Sequence, residues 1–417
     1  GSSAAAHVSL EAAAEIAERL GDDNRLARAV LGFSDPIHLA MYEEMTGLDR
    51  LAGRIDRVLA SDLAGDSPWR ARLLAAAALT GSTARPVGRS VEMAGEAVRL
   101  ARLAGDDRTL ARTLIALEIL LRSGHDHERR RAVAGEIVEI GRRTGDLAVE
   151  WIGRENEYVE LVARGDAGRA GELLAWLRET AERLRLPSMV SLAAWQSAVR
   201  AYLSGRFADA LAAAGASAEA HPEGALGRDD ASLRREMFRF LSLRAAGRGD
   251  EPDEGRERGG TRGPGGAGEA LALADEMLAR RPGQKPWRVL RCLALVDLGR
   301  TDEARDVFAG LARDGFAEIG PELAYRFVPD AVSEICAALG DEAAGRVLYG
   351  MLAPHAGRLL GWSLTDLCLA RLALLDGDED RARAHLRAAG AFASGAGLRV
   401  HEPALRALAG TLRPPGT

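Results

Sequence analysis

Lysine is all but missing from this chain: Lys285 is its single instance in 417 residues, and arginine supplies the rest of the positive charge. A phosphate-cradling loop of the form GxxxxGK[ST] requires a lysine after glycine, and Lys285 stands instead in Gln284-Lys285-Pro286, so that chemistry is excluded. Cysteine is scarce too. Cys292, Cys336 and Cys368 lie far apart, which is neither a disulfide framework nor a zinc spacing, and they read as buried, reduced thiols of a cytoplasmic protein. No apolar run reaches the ~18 residues a membrane span needs, and no signal peptide is visible. The net charge of -6 argues against a nucleic-acid groove, because phosphate binding is driven by clustered cations.

Aromatic residues are only 5% of the chain although apolar residues make up 47%, so the interior must be built from Ala, Leu and Val. Small side chains let helices approach closely, and no stretch alternates with period two. The fold class expected is all-α, without a sheet.

A short turn signal recurs through the chain. It appears as Gly21-Asp22, Gly65-Asp66, Gly105-Asp106, Gly145-Asp146, Gly165-Asp166, Gly340-Asp341 and Gly377-Asp378, with related turns at Gly205-Arg206 and Gly299-Arg300. The steps Gly65–Gly105, Gly105–Gly145 and Gly165–Gly205 are each 40 residues long. Glycine ends one helix in the left-handed conformation and the next residue caps the following helix. Between turns the apolar stripes have helical period: Leu110, Thr113, Leu114, Leu117 and Leu121; Ala170, Leu173, Leu174, Leu177, Ala181 and Leu184; Ala304, Val307, Phe308 and Leu311. Each stripe needs a covering neighbour, so the spacing predicts a superhelical solenoid of antiparallel helix pairs, tetratricopeptide-like but with a unit of about 40 residues. The predicted helices include 148–164, 188–204, 323–339 and 358–375. Residues 247–268 are too polar and glycine-rich to bury anything, and divide an array over 1–246 from one over 269–417 as a flexible loop.

Several stretches carry a family resemblance: Gly65-Asp66-Ser67-Pro68-Trp69-Arg70-Ala71-Arg72-Leu73-Leu74, Gly205-Arg206-Phe207-Ala208-Asp209-Ala210, Asp314-Gly315-Phe316 and Leu352-Ala353-Pro354-His355-Ala356-Gly357-Arg358. In order and spacing they resemble the C-terminal helical-repeat region of large actinobacterial regulatory ATPases, of the LuxR-type and cyclase-linked kinds. The resemblance implies a sensor of an inducer or protein partner, covalently attached to an ATPase and an output domain. This chain has neither an ATPase nor a helix-turn-helix, and its opening Gly1-Ser2-Ser3 reads as a cloning remnant on a piece of a longer protein. The family supplies no ligand-contact motif, so no binding residue is carried over.

Local constellations have plain readings. Gly263 to Gly268 matches GxGxxG by letter, but charged loop precedes it where a buried strand is required. His125-Asp126-His127-Glu128 reads as helix capping, and the acids from Asp376 to Asp380 complement a helix dipole. His385 sits on an apolar stripe as a packed histidine. No catalytic residue, metal site or cofactor is expected. The candidate ligand groove is drawn from helix 148–164, where Trp151, Glu155 and Tyr158 share a face with Arg154 beside them. Trp195, Arg200 and Tyr202 are expected on the next pair. A carboxylate inside an aromatic stripe is costly unless paired or wet. Two readings follow: a core in which Glu155 meets an arginine, or a groove for a small inducer or a protein. A purely structural interaction module without a small ligand is the alternative function.

Overall fold

The structure, a computed structural model, describes residues 3–33, 48–61, 68–80, 86–122, 126–221, 226–248, 265–282, 285–316 and 328–412. Among them are twenty α-helices, two 3-10 turns and one hairpin of two-residue strands, so the chain is all-α. The first helices are α1 (Ser3–Leu20), α2 (Asp23–Phe33), α3 (Leu48–Ala60), α4 (Pro68–Thr80), α5 (Val87–Ala104), α6 (Asp107–Leu121) and α7 (His127–Thr144). Next come α8 (Leu147–Ala163), α9 (Ala167–Leu184), α10 (Pro187–Leu203), α11 (Phe207–Glu219), α12 (Leu226–Arg248), α13 (Gly265–Arg280) and α14 (Lys285–Asp297). The series ends with α15 (Thr301–Phe316), α16 (Val328–Leu339), α17 (Glu342–Leu352), α18 (Thr365–Leu375), α19 (Glu379–Ala396) and α20 (Glu402–Thr411).

The turns follow the chemistry read from the sequence. Gly21, Gly105, Gly145, Gly165, Gly205, Gly299, Gly340 and Gly377 all take the left-handed conformation, with φ of +66° at Gly105 and +80° at Gly377. Where an aspartate follows, as it does after all of these except Gly205 and Gly299, it caps the next helix. The Asp106 carboxylate accepts the amides of Arg108 and Thr109, and Asp22, Asp146, Asp166, Asp341 and Asp378 do the same for their own first turns. Each such cap is worth roughly 1 kcal/mol. Gly65-Asp66 lies outside the described residues.

By contacts the chain divides into two units. The first is Gly1–Glu160, Glu172–Ala194 and Ala216–Ser232; the second is Leu161–Gly171, Trp195–Gly215 and Leu233–Thr417. In the first, Leu26, Ile55, Val58 and Leu73 of α2, α3 and α4 are buried around Ala17, Ala76 and Ala77. Between α7 and α8 the backbones nearly touch. A Cβ on Gly153 would lie 2.7 Å from a Val138 methyl and 2.8 Å from its nitrogen, and one on Gly141 would lie 2.4 Å from the Glu150 nitrogen. In the second unit, Trp287, Phe240, Phe308, Phe316, Leu290 and Val332 are fully buried. Burial of each such side chain contributes about 1.5–3 kcal/mol.

Two expectations change. The helix predicted over 358–375 begins only at Thr365, because Leu359–Leu360 pairs antiparallel with Ser363–Leu364. Gly361, at φ +59°, opens a two-residue turn, and a helix cannot run through that conformation. The polar segment 247–268 also shrinks at both ends: 247–248 close α12 and 265–268 open α13, while 249–264 lie outside the described residues.

The three cysteines are free and buried, and burial pushes each thiol up to about 12. The thiolate is the reactive form. Native protein at neutral pH should therefore leave an aromatic disulfide reagent unreacted over minutes and release its full thiol count only on denaturation. A fast reaction in the native state would contradict this burial.

Candidate functional site

The first group of groove candidates lies on α8. Trp151 is 0% exposed, and its indole N–H donates to the Leu177 carbonyl at 2.8 Å. Tyr158 is equally buried. Glu155 is 4% exposed and faces Arg122 at 3.8 Å, so the carboxylate in the aromatic stripe meets an arginine. Arg122 also donates to Asn156 Oδ1 at 2.9 Å and to Glu118, which takes a further bond from Arg130. Burial alone would raise Glu118, but the two guanidinium charges hold it below the usual carboxylate range. A buried charge of this kind is tolerated because its partners neutralise it. Arg154 is half-buried with its charge engaged. It lies 4.5 Å from the Trp176 ring centroid and donates to Glu150 at 2.9 Å.

The second group, Trp195, Arg200 and Tyr202, belongs to the other unit. Trp195 and Tyr202 of α10 join Phe238 of α12 and Trp362 at the hairpin tip in one aromatic cluster, with Phe207 beside Tyr202. The ring centroids are 5.2 Å apart for Trp195–Phe238, 5.3 Å for Tyr202–Trp362 and 4.9 Å for Phe238–Trp362. These tilted and edge-on contacts each add ~0.5–1.5 kcal/mol beyond area burial. Burial pushes the Tyr202 phenol well above its ordinary range. Arg200 turns elsewhere, donating through both terminal nitrogens to the Ala167 carbonyl at 3.2 Å.

Sequence reasoning missed Phe238 and Trp362. The signal for Trp362 was present in Leu359-Leu360-Gly361-Trp362-Ser363-Leu364, where glycine at the first position of a two-residue turn marks a tight hairpin. The hairpin is tied to its surroundings by polar groups. Ser363 Oγ accepts the Asp330 amide at 3.2 Å, and the Trp362 carbonyl accepts from His401 Nε2 at 3.1 Å. A carbonyl can only accept, so neutral His401 carries its proton on Nε2. Arg371 bonds Asp330 and Ser333. Burial keeps His401 below its usual value, against the opposing pull of Asp330 and with the Arg371 charge adding to it. Burial alone would raise Asp330, but Arg371 holds it down.

The linkage has a definite sign. His401 binds its proton more readily in the unfolded chain, so its stabilising contribution is complete above about pH 6.5 and is lost as pH falls from there toward its folded value. Asp330, also lowered, contributes above about pH 4 and loses its part only below that. Denaturant midpoints should therefore decline between pH 7.5 and 5.5, and His401→Asn should flatten that slope. An unchanged slope in the variant would remove His401 as the cause.

Asp126 caps α7 by accepting the Arg129 amide, while His125 lies outside the described residues. Among the described residues no group of three His, Cys, Asp or Glu side chains could hold a metal ion, and no helix is long and apolar enough to cross a membrane. In the first unit a cleft of about 260 Å³ is floored by Val98, Leu114, Leu117 and Val133, with Arg102 and Glu136 paired at 2.6 Å across it. That falls short of the ~300–1,000 Å³ of drug-sized ligand sites. No family model matches the chain, and no curated protein does either.

Proposed function

We propose that this chain is the sensing and interaction segment of a multidomain transcriptional or signalling regulator, acting in the cytoplasm as a superhelical solenoid of antiparallel helix pairs. The observation that supports it most is the repeated turn, a left-handed glycine followed by a capping aspartate, which is seen at Gly21, Gly105, Gly145, Gly165, Gly340 and Gly377, with Gly105 and Gly145 40 residues apart. Each unit of such an array exposes a face that its neighbours do not cover, and a partner bound there biases the packing felt by attached domains. Those domains, on the resemblance to the regulatory ATPases, are an ATPase and an output module. The segment contributes binding and no chemistry to that switch.

Between the two kinds of partner, burial favours a protein over a small inducer. Trp151, Glu155 and Tyr158 are enclosed, which leaves a ligand on α8 little aromatic surface. The alternative, an interaction module with no small ligand, draws on the same observation. The coding sequence on either side of these residues tests the class. An ATPase in the same reading frame supports it, and a frame holding no nucleotide-binding domain contradicts it.

A further inference from the structure

The second unit holds a chain of three side chains that the scaffold reading leaves unused. Asp366 of α18 is 3% exposed, and its Oδ2 accepts the Gly357 amide at 2.6 Å. Its Oδ1 lies 2.8 Å from Nδ1 of His385 on α19, and Nε2 of that ring lies 2.9 Å from the Tyr349 hydroxyl on α17. The direction of the chain follows from donor chemistry. An ionised carboxylate only accepts, so Nδ1 bears the imidazole proton; Nε2 of the neutral ring is then the acceptor, and the phenol must donate to it. A carboxylate that fixes the tautomer of an imidazole, which in turn faces a hydroxyl, is the working arrangement of a base-activated nucleophile.

Accessibility separates the members. Asp366 is enclosed, the His385 side chain is 18% exposed, and Tyr349 is half-buried. The Arg381 guanidinium stands 4.9 Å from the Tyr349 ring centroid, so negative charge developing on the ring as the proton leaves faces a cation. Gly357 supplies the remaining support. Its φ of +77° turns the chain after the 3-10 turn Ala353–His355 and aims its amide at the carboxylate.

We propose that Tyr349 is a nucleophile activated by His385 and positioned through Asp366, and that it takes an acyl group from an activated acyl donor such as an aryl ester or thioester. In that step the phenolic oxygen forms a bond to the acyl carbon. The bond from that carbon to the leaving group breaks with its electron pair, and the phenol proton passes to His385 Nε2 and on to the leaving group. Asp366 touches no reacting atom and is a positioning residue.

p-Nitrophenyl acetate is the probe, with released p-nitrophenolate followed by absorbance and the acetylated residue located by peptide mass spectrometry. Background acylation is low because Lys285 is the one lysine. The expected result is acetyl on Tyr349 in preference to Tyr158 and Tyr202. His385→Gln should slow it by ~10²-fold or more, as loss of a general base does. Imidazole added to His385→Ala should restore acetylation at Tyr349, a rescue that a packing role would not produce. Asp366→Asn offers one acceptor where the carboxylate offers two, so it should lower the melting temperature somewhat and also slow the reaction at temperatures where the variant is fully folded. Acetyl confined to Lys285, the amino terminus and other histidines would overturn the proposal, as would a His385→Gln variant that reacts as fast as the unmodified chain.

Discussion

Trp151→Ala is expected to cost ~3–5 kcal/mol of folding free energy, the range for large aromatic truncations in a core. The side chain is fully buried, its indole N–H is bonded to the Leu177 carbonyl, and truncation leaves a cavity against α9. Trp151→Phe keeps most of the buried area and loses the hydrogen bond, so it should cost visibly less. Denaturant unfolding followed by far-ultraviolet circular dichroism measures both. A cost of at most ~1 kcal/mol for the alanine variant is what a partly exposed groove residue would show. That result would return α8 to the list of ligand surfaces.

Glycines on one helix should respond to alanine with opposite signs. Gly135 of α7 has nothing within 4 Å of a Cβ placed on it, whereas Gly141, six residues on, would set a Cβ 2.4 Å from the Glu150 nitrogen. Alanine is the better helix former by about 0.8–1.0 kcal/mol, so Gly135→Ala should stabilise by up to that amount. At Gly141 the same propensity gain meets a backbone that must move, and overpacking costs ~1–3 kcal/mol or more. The net effect there is destabilising. Gly153→Ala on the facing helix should behave like Gly141, since two of its three nearest atoms are backbone. Two stabilising substitutions at Gly141 and Gly153 would mean that α7 and α8 do not approach this closely.

Helices with apolar stripes between glycine turns were legible in the sequence because local chemistry decides them. Of the stripe Leu110, Thr113, Leu114, Leu117 and Leu121, all but Leu110 are buried, together with Ile115, Ala116, Glu118 and Leu120 on other sides of the same helix, and the capping by Asp106 depends on residues within one turn. The helix start near 358 was misplaced because Leu359 to Leu364 is apolar in either conformation, and only Gly361 at positive φ distinguishes them. Among the candidate site residues, the partner of Glu155 could be anticipated as an arginine by charge alone, but Arg122 lies 33 positions away and no local rule selects it. The Trp362 cluster was invisible for the same reason: Trp195, Phe238 and Trp362 meet only through tertiary packing. His385 was read as packed, and the sequence offered no sign of the carboxylate and phenol that flank it.

The regulatory reading rests on coupling between this segment and an attached ATPase. Allosteric coupling of ~1–3 kcal/mol corresponds to a change of about 5–150-fold. The direct measurement is ATP turnover by the intact protein, with this segment present and with it replaced by a short flexible linker. The account predicts that turnover shifts by at least ~5-fold on replacement. Turnover that is the same with and without the segment, or an intact protein that hydrolyses no ATP, would contradict it.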